Sequence, residues 1–343
     1  MIEGHGDDSY RYGRKIEINF SSNIYSHADM SGLQAFLRER MEVIGSYPEP
    51  EAFSLETTLA KKHRVEPAQV LVTNGATEAI YLIAHAYNGL RTVVLQPTFR
   101  EYVDACVMNG CRVSSIYQLP DEREHYRLPS EVRMCWLCNP NNPTGNMLEK
   151  NQLQHIIKAN QQVIFIIDQS YEDFVLQPLF SVSEALAFNN VLLLHSMTKR
   201  YCVPGLRLGY ITGAAYLLHQ LRTHKMPWSV NGMAIEAGHY LLEHDIKGLP
   251  AIADYLRETQ RLRDNLILTG AVDVWETTTH FMLAQLRVGK ASALKDWLAV
   301  NCGILIRDAS NFDGLDARFF RIAAQDREEN DRLVSAFTEW LME

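Results

Sequence analysis

Short apolar runs rich in Val, Ile and Leu recur along the chain at 70–73, 92–96, 112–118, 134–138, 163–168, 191–195 and 208–212. Their brevity and lack of alternation predict strands buried on both faces of a mostly parallel, seven-stranded sheet. The stretches between them, such as 78–87 and 149–160, carry apolar residues at three- and four-residue intervals, the period of an amphipathic helix. The alternation predicts an α/β fold. Several runs end in a polar cluster at their carboxyl ends, where open α/β sheets hold their ligands. Past residue 240 the texture changes. A charged amphipathic stretch at 254–268 leads to a strand-like run at 281–286, a helix near 291–301 and a last helix at 328–341. This predicts a smaller α+β domain. The first 45 residues show little periodicity beyond 31–43. The expected division is an arm and helix at 1–45 belonging to the small domain, a large domain at 46–245 and a C-terminal small domain at 246–343.

Composition narrows the partners. At 343 residues and 47% hydrophobic there is ample material for about two domains. A net charge of −8 would repel a polyphosphate backbone, so nucleic acid is not expected as a partner. No apolar run approaches the ~18 to 20 residues that cross a bilayer, and the polar start has no apolar leader segment. A cytoplasmic location, with no membrane partner, is the expectation. Six cysteines are too few for a disulfide scaffold. Cys135 and Cys138 form a lone C-x-x-C inside an apolar run. With no second pair to complete a zinc site, no metal is expected.

The candidate chemistry lies at the ends of the runs. Lys199, in Ser196-Met197-Thr198-Lys199, follows one strand and precedes Pro204-Gly205-Leu206-Arg207-Leu208-Gly209-Tyr210. A lysine attacks a carbonyl only after losing its proton. A pKa of about 10.4 must therefore be lowered by burial or by cations such as Arg200 and Arg207. Taken alone, Lys199 could be a surface loop lysine. Asp168 ends a nearly all-apolar approach, where an unpaired carboxylate is costly, so it either pairs with a cation such as a protonated pyridine nitrogen or caps a helix. Tyr171 could offer its phenol to a ring oxygen. In Asn139-Pro140-Asn141-Asn142-Pro143-Thr144-Gly145 the prolines stiffen a loop that presents the Asn142 amide. Gly75, Ala76 and Thr77 open a helix after a strand and could cradle an anion, helped by Ser196 and Arg207, although Thr77 could simply cap the helix. Phe99 could stack on a flat ring or belong to the core.

In this order along nearly the whole chain, these residues resemble the pyridoxal-phosphate enzymes of fold type I, the aspartate aminotransferase superfamily. The resemblance implies pyridoxal 5'-phosphate as cofactor, held covalently by Lys199. Asp168 would pair with its pyridinium, and Asn142 and Tyr171 would contact its ring hydroxyl. Gly75, Ala76, Thr77, Ser196 and Arg207 would hold its phosphate, and Phe99 would stack on it. Arg321 in Phe319-Phe320-Arg321-Ile322 would clamp a substrate carboxylate. Tyr47 in Tyr47-Pro48-Glu49-Pro50 matches a tyrosine that reaches the phosphate of a neighbouring subunit, which implies a homodimer with active sites at its interface. Two branches compete: decarboxylases of L-threonine O-3-phosphate in cobalamin synthesis and aminotransferases of histidinol phosphate. The start at Gly4-His5-Gly6, Phe20-Ser21-Ser22-Asn23-Ile24 and Ile306-Arg307-Asp308-Ala309-Ser310-Asn311-Phe312 look like the decarboxylases. This makes His5, Asn23 and Arg307, with Arg321, the expected substrate-binding residues. Tyr25-Ser26 and Ala309 depart from that pattern, where Asn-Pro and often cysteine would stand.

Two other readings lack their elements. A ligand-sensing domain of a regulator would need a basic helix-turn-helix segment. A serine acyl-enzyme would need S-D-N and K-T-G companions to Ser196-x-x-Lys199. The sequence contains neither.

Overall fold

The computed structural model describes residues 6–13 and 15–342. The arm contributes β1 (Ile18–Asn19). Seven strands then form the central sheet: β2 (Val70–Thr73), β3 (Arg91–Leu95), β4 (Arg112–Ile116), β5 (Met134–Cys138), β6 (Ile164–Asp168), β7 (Val191–Ser196) and β8 (Gly209–Gly213). Their order is β2-β8-β7-β6-β5-β3-β4, and β8 runs antiparallel to both its neighbours while the remaining pairs are parallel. All seven apolar runs are therefore strands of one sheet.

Side chains alternate between the two faces. Trp136, Ile166 and Leu192 pack under the helices Gly75–Ala86 and Glu101–Met108. Leu137, Ile167 and Leu193 pack against Lys150–Ala159 on the opposite side. The same alternation settles the C-x-x-C. Cys135 and Cys138 stand three positions apart in one strand and so belong to opposite faces. They share no disulfide or ligand geometry, and burial pushes the Cys135 thiol up to about 12. One expectation needs correction. The run at 112–118 is not buried on both faces. It stops at Ile116 and is half exposed, because β4 is the edge of the sheet and pairs only with β3.

The C-terminal part holds an antiparallel sheet of order β12-β13-β10-β9. Its strands are β9 (Val272–Val274), β10 (Phe281–Leu286), β12 (Arg307–Asp308) and β13 (Phe319–Ala323), with β11 (Ile304–Leu305) paired in parallel to β1. The helices Ile252–Leu268, Ala291–Trp297 and Arg327–Trp340 accompany it. The predicted helix at 31–43 stops short, and the one near 291–301 changes its winding. Ser31–Arg38 gives way to a 3-10 turn at Met41–Gly45, and Ala291–Trp297 continues as a π turn closed by Gly303 in the left-handed region. No helix among the described residues is long and apolar enough to cross a membrane.

Candidate active site

Register brings the first group of residues together. Thr73 and Ser196 both pair with Gly209, so the ends of β2 and β7 and the start of β8 lie side by side. Just beyond them stand the turn into helix Gly75–Ala86, the Ser196 N-cap of the short helix Met197–Arg200, and Arg207, whose backbone is left-handed at φ 55°. Two glycines make this packing possible. At Gly75, φ is +76° and a Cβ would lie 2.7 Å from Arg207 Nη2; at Gly209 a Cβ would lie 2.8 Å from the Ala76 backbone nitrogen. The result is a helix N-terminus with unspent N–H groups, backed by a guanidinium and a hydroxyl, which is an anion cradle. Asn74, not Thr77, is the N-cap of this helix. The hydroxyl of Thr77 is therefore not occupied as the cap.

The second group lies at the carboxyl ends of β5, β6 and β7, where Cys138 and Asp168 are paired neighbours. Asp168 is buried. Its Oδ2 accepts from the Tyr102 hydroxyl at 2.7 Å and its Oδ1 from the Ser170 backbone N–H at 2.8 Å. Burial raises its pKa, and those two hydrogen bonds only partly oppose the rise. Among the described residues it forms no ion pair. Asp168 is thus a carboxylate with neutral partners facing a cavity, not a helix cap. The Tyr171 hydroxyl accepts from Asn23 Nδ2 at 3.0 Å.

Lys199 is half-buried, and its Nζ donates to the Ser22 carbonyl at 2.7 Å. Burial first, then the charges of Arg321 and Arg207, pull its pKa down to about 7. The sequence expectation that Arg200 would share in this field is corrected. Arg200 turns away and binds Asp173 at 2.5 Å, and Arg321 takes its place. Arg321 and Arg307 are both buried, and burial lowers each to about 10, so both are cations at neutral pH. Arg321 donates through Nη1 to Asn142 Oδ1 at 2.5 Å and through Nη2 to the Ser21 carbonyl, while its Nε has no partner among the described residues. Arg307 donates to Asn311 Oδ1 at 2.8 Å.

One cavity of about 320 Å³ is lined by Ala76, Thr77, Phe99, Asn142, Asp168, Tyr171, Ser196, Lys199, Arg207, Arg307 and Arg321. Gly75 adjoins it through Arg207, and Asn23 adjoins it through Tyr171. His5 lies outside the described residues. The expected residue Tyr47 is not at this cavity. Tyr47 is 86% exposed and packs on Trp228, with ring centroids 5.5 Å apart, away from the cavity of its own chain. No role for Tyr102, Ser170, Ser21 or Ser22 follows from the sequence. Tyr102 follows Phe99 by three positions and shares its apolar approach, a weak signal. The serines act through backbone groups that side-chain chemistry cannot reveal.

The residues fit a flat, anionic, electrophilic group. The glycine-backed cradle suits a phosphate, the buried Asp168 lacks the cation it needs, Phe99 offers a ring face, and an amine is poised near neutrality beside them. A central seven-stranded sheet with this site at its carboxyl edge defines an aspartate aminotransferase-like fold. The family described as aminotransferase class I and II matches residues 15–337, and the chain belongs to it. It is 30% identical over 330 residues to the threonine-phosphate decarboxylase of Salmonella typhimurium, spanning 93% of this chain and 90% of that protein. It superposes on the L-threonine-O-3-phosphate decarboxylase of Porphyromonas gingivalis with a TM-score of 0.90 at 34% identity, covering 95% and 100% of the two chains. For the histidinol-phosphate aminotransferase of Clostridium acetobutylicum the TM-score is 0.83 at 25% identity, covering 94% and 98%.

Proposed function

We propose that this chain is a pyridoxal-phosphate-dependent decarboxylase of L-threonine O-3-phosphate, releasing CO₂ and (R)-1-aminopropan-2-ol O-phosphate, in cobalamin synthesis. The observation that carries the reading is the pair of buried guanidiniums, Arg321 and Arg307, in the same cavity as Lys199 and Asp168. A substrate with two anionic ends would match them. The greater likeness to threonine-phosphate decarboxylases supports the choice of substrate.

In this reading Lys199 would hold the cofactor covalently, Asp168 would face its ring nitrogen, and Asn142 and Tyr171 would face its ring hydroxyl. Gly75, Ala76, Thr77, Ser196 and Arg207 would hold its phosphate, with Tyr47 of a second copy, and Phe99 would cover its ring. Bound there, the group supplies an electron-withdrawing ring that stabilises charge left on the substrate α-carbon when a bond to it breaks. The rest is done by the protein. Arg321 would take the carboxylate, and Arg307 would take the substrate phosphate with His5 and Asn23. Anchoring both ends would fix rotation about the α-carbon and so select the bond to the carboxylate, not the bond to hydrogen, for cleavage. With substrate in place, a freed Lys199 amine would be the group positioned to hold or give a proton at the α-carbon.

The reading includes a cytoplasmic homodimer, a large cofactor-holding domain at 46–245, and a small domain formed by 1–45 and 246–343. The parallel pairing of β1 with β11 supports grouping the arm with the C-terminal part. The runner-up is an aminotransferase of histidinol phosphate, which would use the same cavity. The test is direct. Purified protein with pyridoxal phosphate is given O-phospho-L-threonine alone, and separately histidinol phosphate with 2-oxoglutarate. CO₂ released without any keto acid is the expected result; glutamate formed with no CO₂ would assign the aminotransferase instead.

A further inference from the structure

His280 is fully buried and lies just behind the cavity wall. It precedes β10 and sits in an aromatic box, with ring centroids 3.9 Å from Phe174, 5.3 Å from Phe281, 5.4 Å from Tyr255 and 6.2 Å from Tyr171. Its Nε2 is 3.2 Å from the carbonyl oxygen of Asn23, while its Nδ1 has no partner among the described residues. A carbonyl only accepts, so the proton is on Nε2. Burial pushes the imidazole pKa down to about 3, and Lys199 and Arg321 act in the same direction, so the ring is neutral. A buried imidazole with one orphaned nitrogen is costly, and a core position of this shape would be filled better by phenylalanine. The bond to Asn23 is the feature that only a donor supplies.

What that bond holds is a turn that meets three candidate catalytic groups in succession. The Ser21 carbonyl accepts from Arg321, the Ser22 carbonyl accepts from Lys199 Nζ at 2.7 Å, and Asn23 Nδ2 donates to the Tyr171 hydroxyl at 3.0 Å. Asn23 achieves this with φ at 55°, in the left-handed region that asparagine enters more readily than other residues with a side chain. On one side the segment is tied to β13 by the Ala323 N–H to Phe20 carbonyl bond at 2.8 Å. On the other side Gln325 Nε2 donates to the Ile24 carbonyl at 3.0 Å, and at Asn23 itself the backbone carbonyl is held by His280.

We propose that His280 is a positioning residue: its N–H pins the Asn23 carbonyl, and through the turn at 21–23 it sets the Tyr171 hydroxyl, the Lys199 amine and the Arg321 fork relative to one another. The inference rests on the decarboxylase reading, but its test separates the two. Three proteins are compared: wild type, His280→Phe, which keeps a ring in the box without an N–H, and His280→Gln, which restores an N–H at similar reach. His280→Phe should bind pyridoxal phosphate more weakly and lose between about tenfold and a hundredfold in kcat/KM for O-phospho-L-threonine, with a wild-type melting temperature. His280→Gln should recover most of both. In the cofactor-free proteins, acylation of Lys199 followed by mass spectrometry should run faster in His280→Phe, since the ammonium loses its fixed acceptor, and return to the wild-type rate in His280→Gln. Wild-type values in His280→Phe for all three measurements, or a deficit in His280→Gln as large as in His280→Phe, would overturn the proposal. Should His280→Phe fail to fold, His280→Asn, whose amide stops short of Asn23, takes its place in the same contrast. A wild-type protein that takes up no pyridoxal phosphate would overturn the functional reading, while the acylation contrast would still decide the role of His280.

Discussion

At Lys199, pH and charge act on a single atom. With its pKa near 7 the amine is half neutral at neutral pH, a fraction about a thousandfold greater than for an ordinary lysine. In the unfolded chain it would titrate near its usual value. The cost of burying the charge is therefore present in full below pH 7, and is relieved as pH rises from 7 toward that value. Two results are expected for the cofactor-free protein: covalent capture of an aldehyde by Lys199 rises with a midpoint near pH 7, and thermal stability increases over the same alkaline range. Arg321→Met should move the capture midpoint upward, because it removes the largest charge contribution to the depression. A stopped-flow pH series on the two proteins checks the sign, and a midpoint unmoved by the substitution would assign the depression to burial and Arg207 instead. Asp168 was legible in the sequence because it ends an apolar run, where an ionisable group is out of place, and Lys199 because it closely follows another and precedes Pro204-Gly205-Leu206-Arg207. Tyr102, which reaches Asp168 at 2.7 Å, was not, since its partner is 66 positions away and nothing local distinguishes it from a core tyrosine.

β2 leads into the anion cradle, yet among the described residues it is an edge strand with β8 as its one neighbour. The backbone groups on its outer side need partners. Glu56, on the helix Phe53–His63, accepts from the Val72 N–H at 3.0 Å, and Arg222, on Ala215–Arg222, donates to the Val70 carbonyl at 2.6 Å. The two side chains also bind each other at 2.8 Å, and the carboxylate is nearly fully buried. Removing one member leaves the other charge stranded, so Arg222→Met should destabilise the protein by about 3 kcal/mol or more. The double substitution Glu56→Gln, Arg222→Met should cost less than the single one. Urea unfolding of the two variants decides this, and equal losses would mean that loss of Arg222 leaves no stranded charge at Glu56. The seven strands were legible because burial on both faces writes itself as an unbroken apolar run. The edge character of β4 and the closure of β2 by Glu56 and Arg222 were not, because strand order and long-range pairing leave no periodicity to read.

The outside of the molecule carries an unevenly placed apolar surface. Met41, Ile44, Tyr47 and Phe53 on one segment and Met226 and Trp228 on another are all exposed, and the Tyr47–Trp228 ring contact joins the two. A patch of this kind is where a second copy would seat, and Tyr47 faces outward instead of into its own cavity. If Tyr47 serves the site of the neighbouring subunit, a two-fold dimer must exchange the residue reciprocally, and defects at Tyr47 and Lys199 must then complement. Lys199→Ala supplies a sound Tyr47, and Tyr47→Ala supplies a sound Lys199. A dimer containing one of each holds one site with both residues intact and one site with neither. Equal mixing and re-equilibration would make half of the dimers mixed, each with one of its two sites restored, so about a quarter of wild-type activity should return from two chains that are nearly inactive alone. If Tyr47 acted within its own chain, every site in the mixture would still lack one residue and no activity would return. The same mixing experiment, followed by sedimentation, also distinguishes a failure to exchange subunits from a failure to complement, since mass-tagged chains that have exchanged without recovering activity can only mean that Tyr47 does not cross the interface.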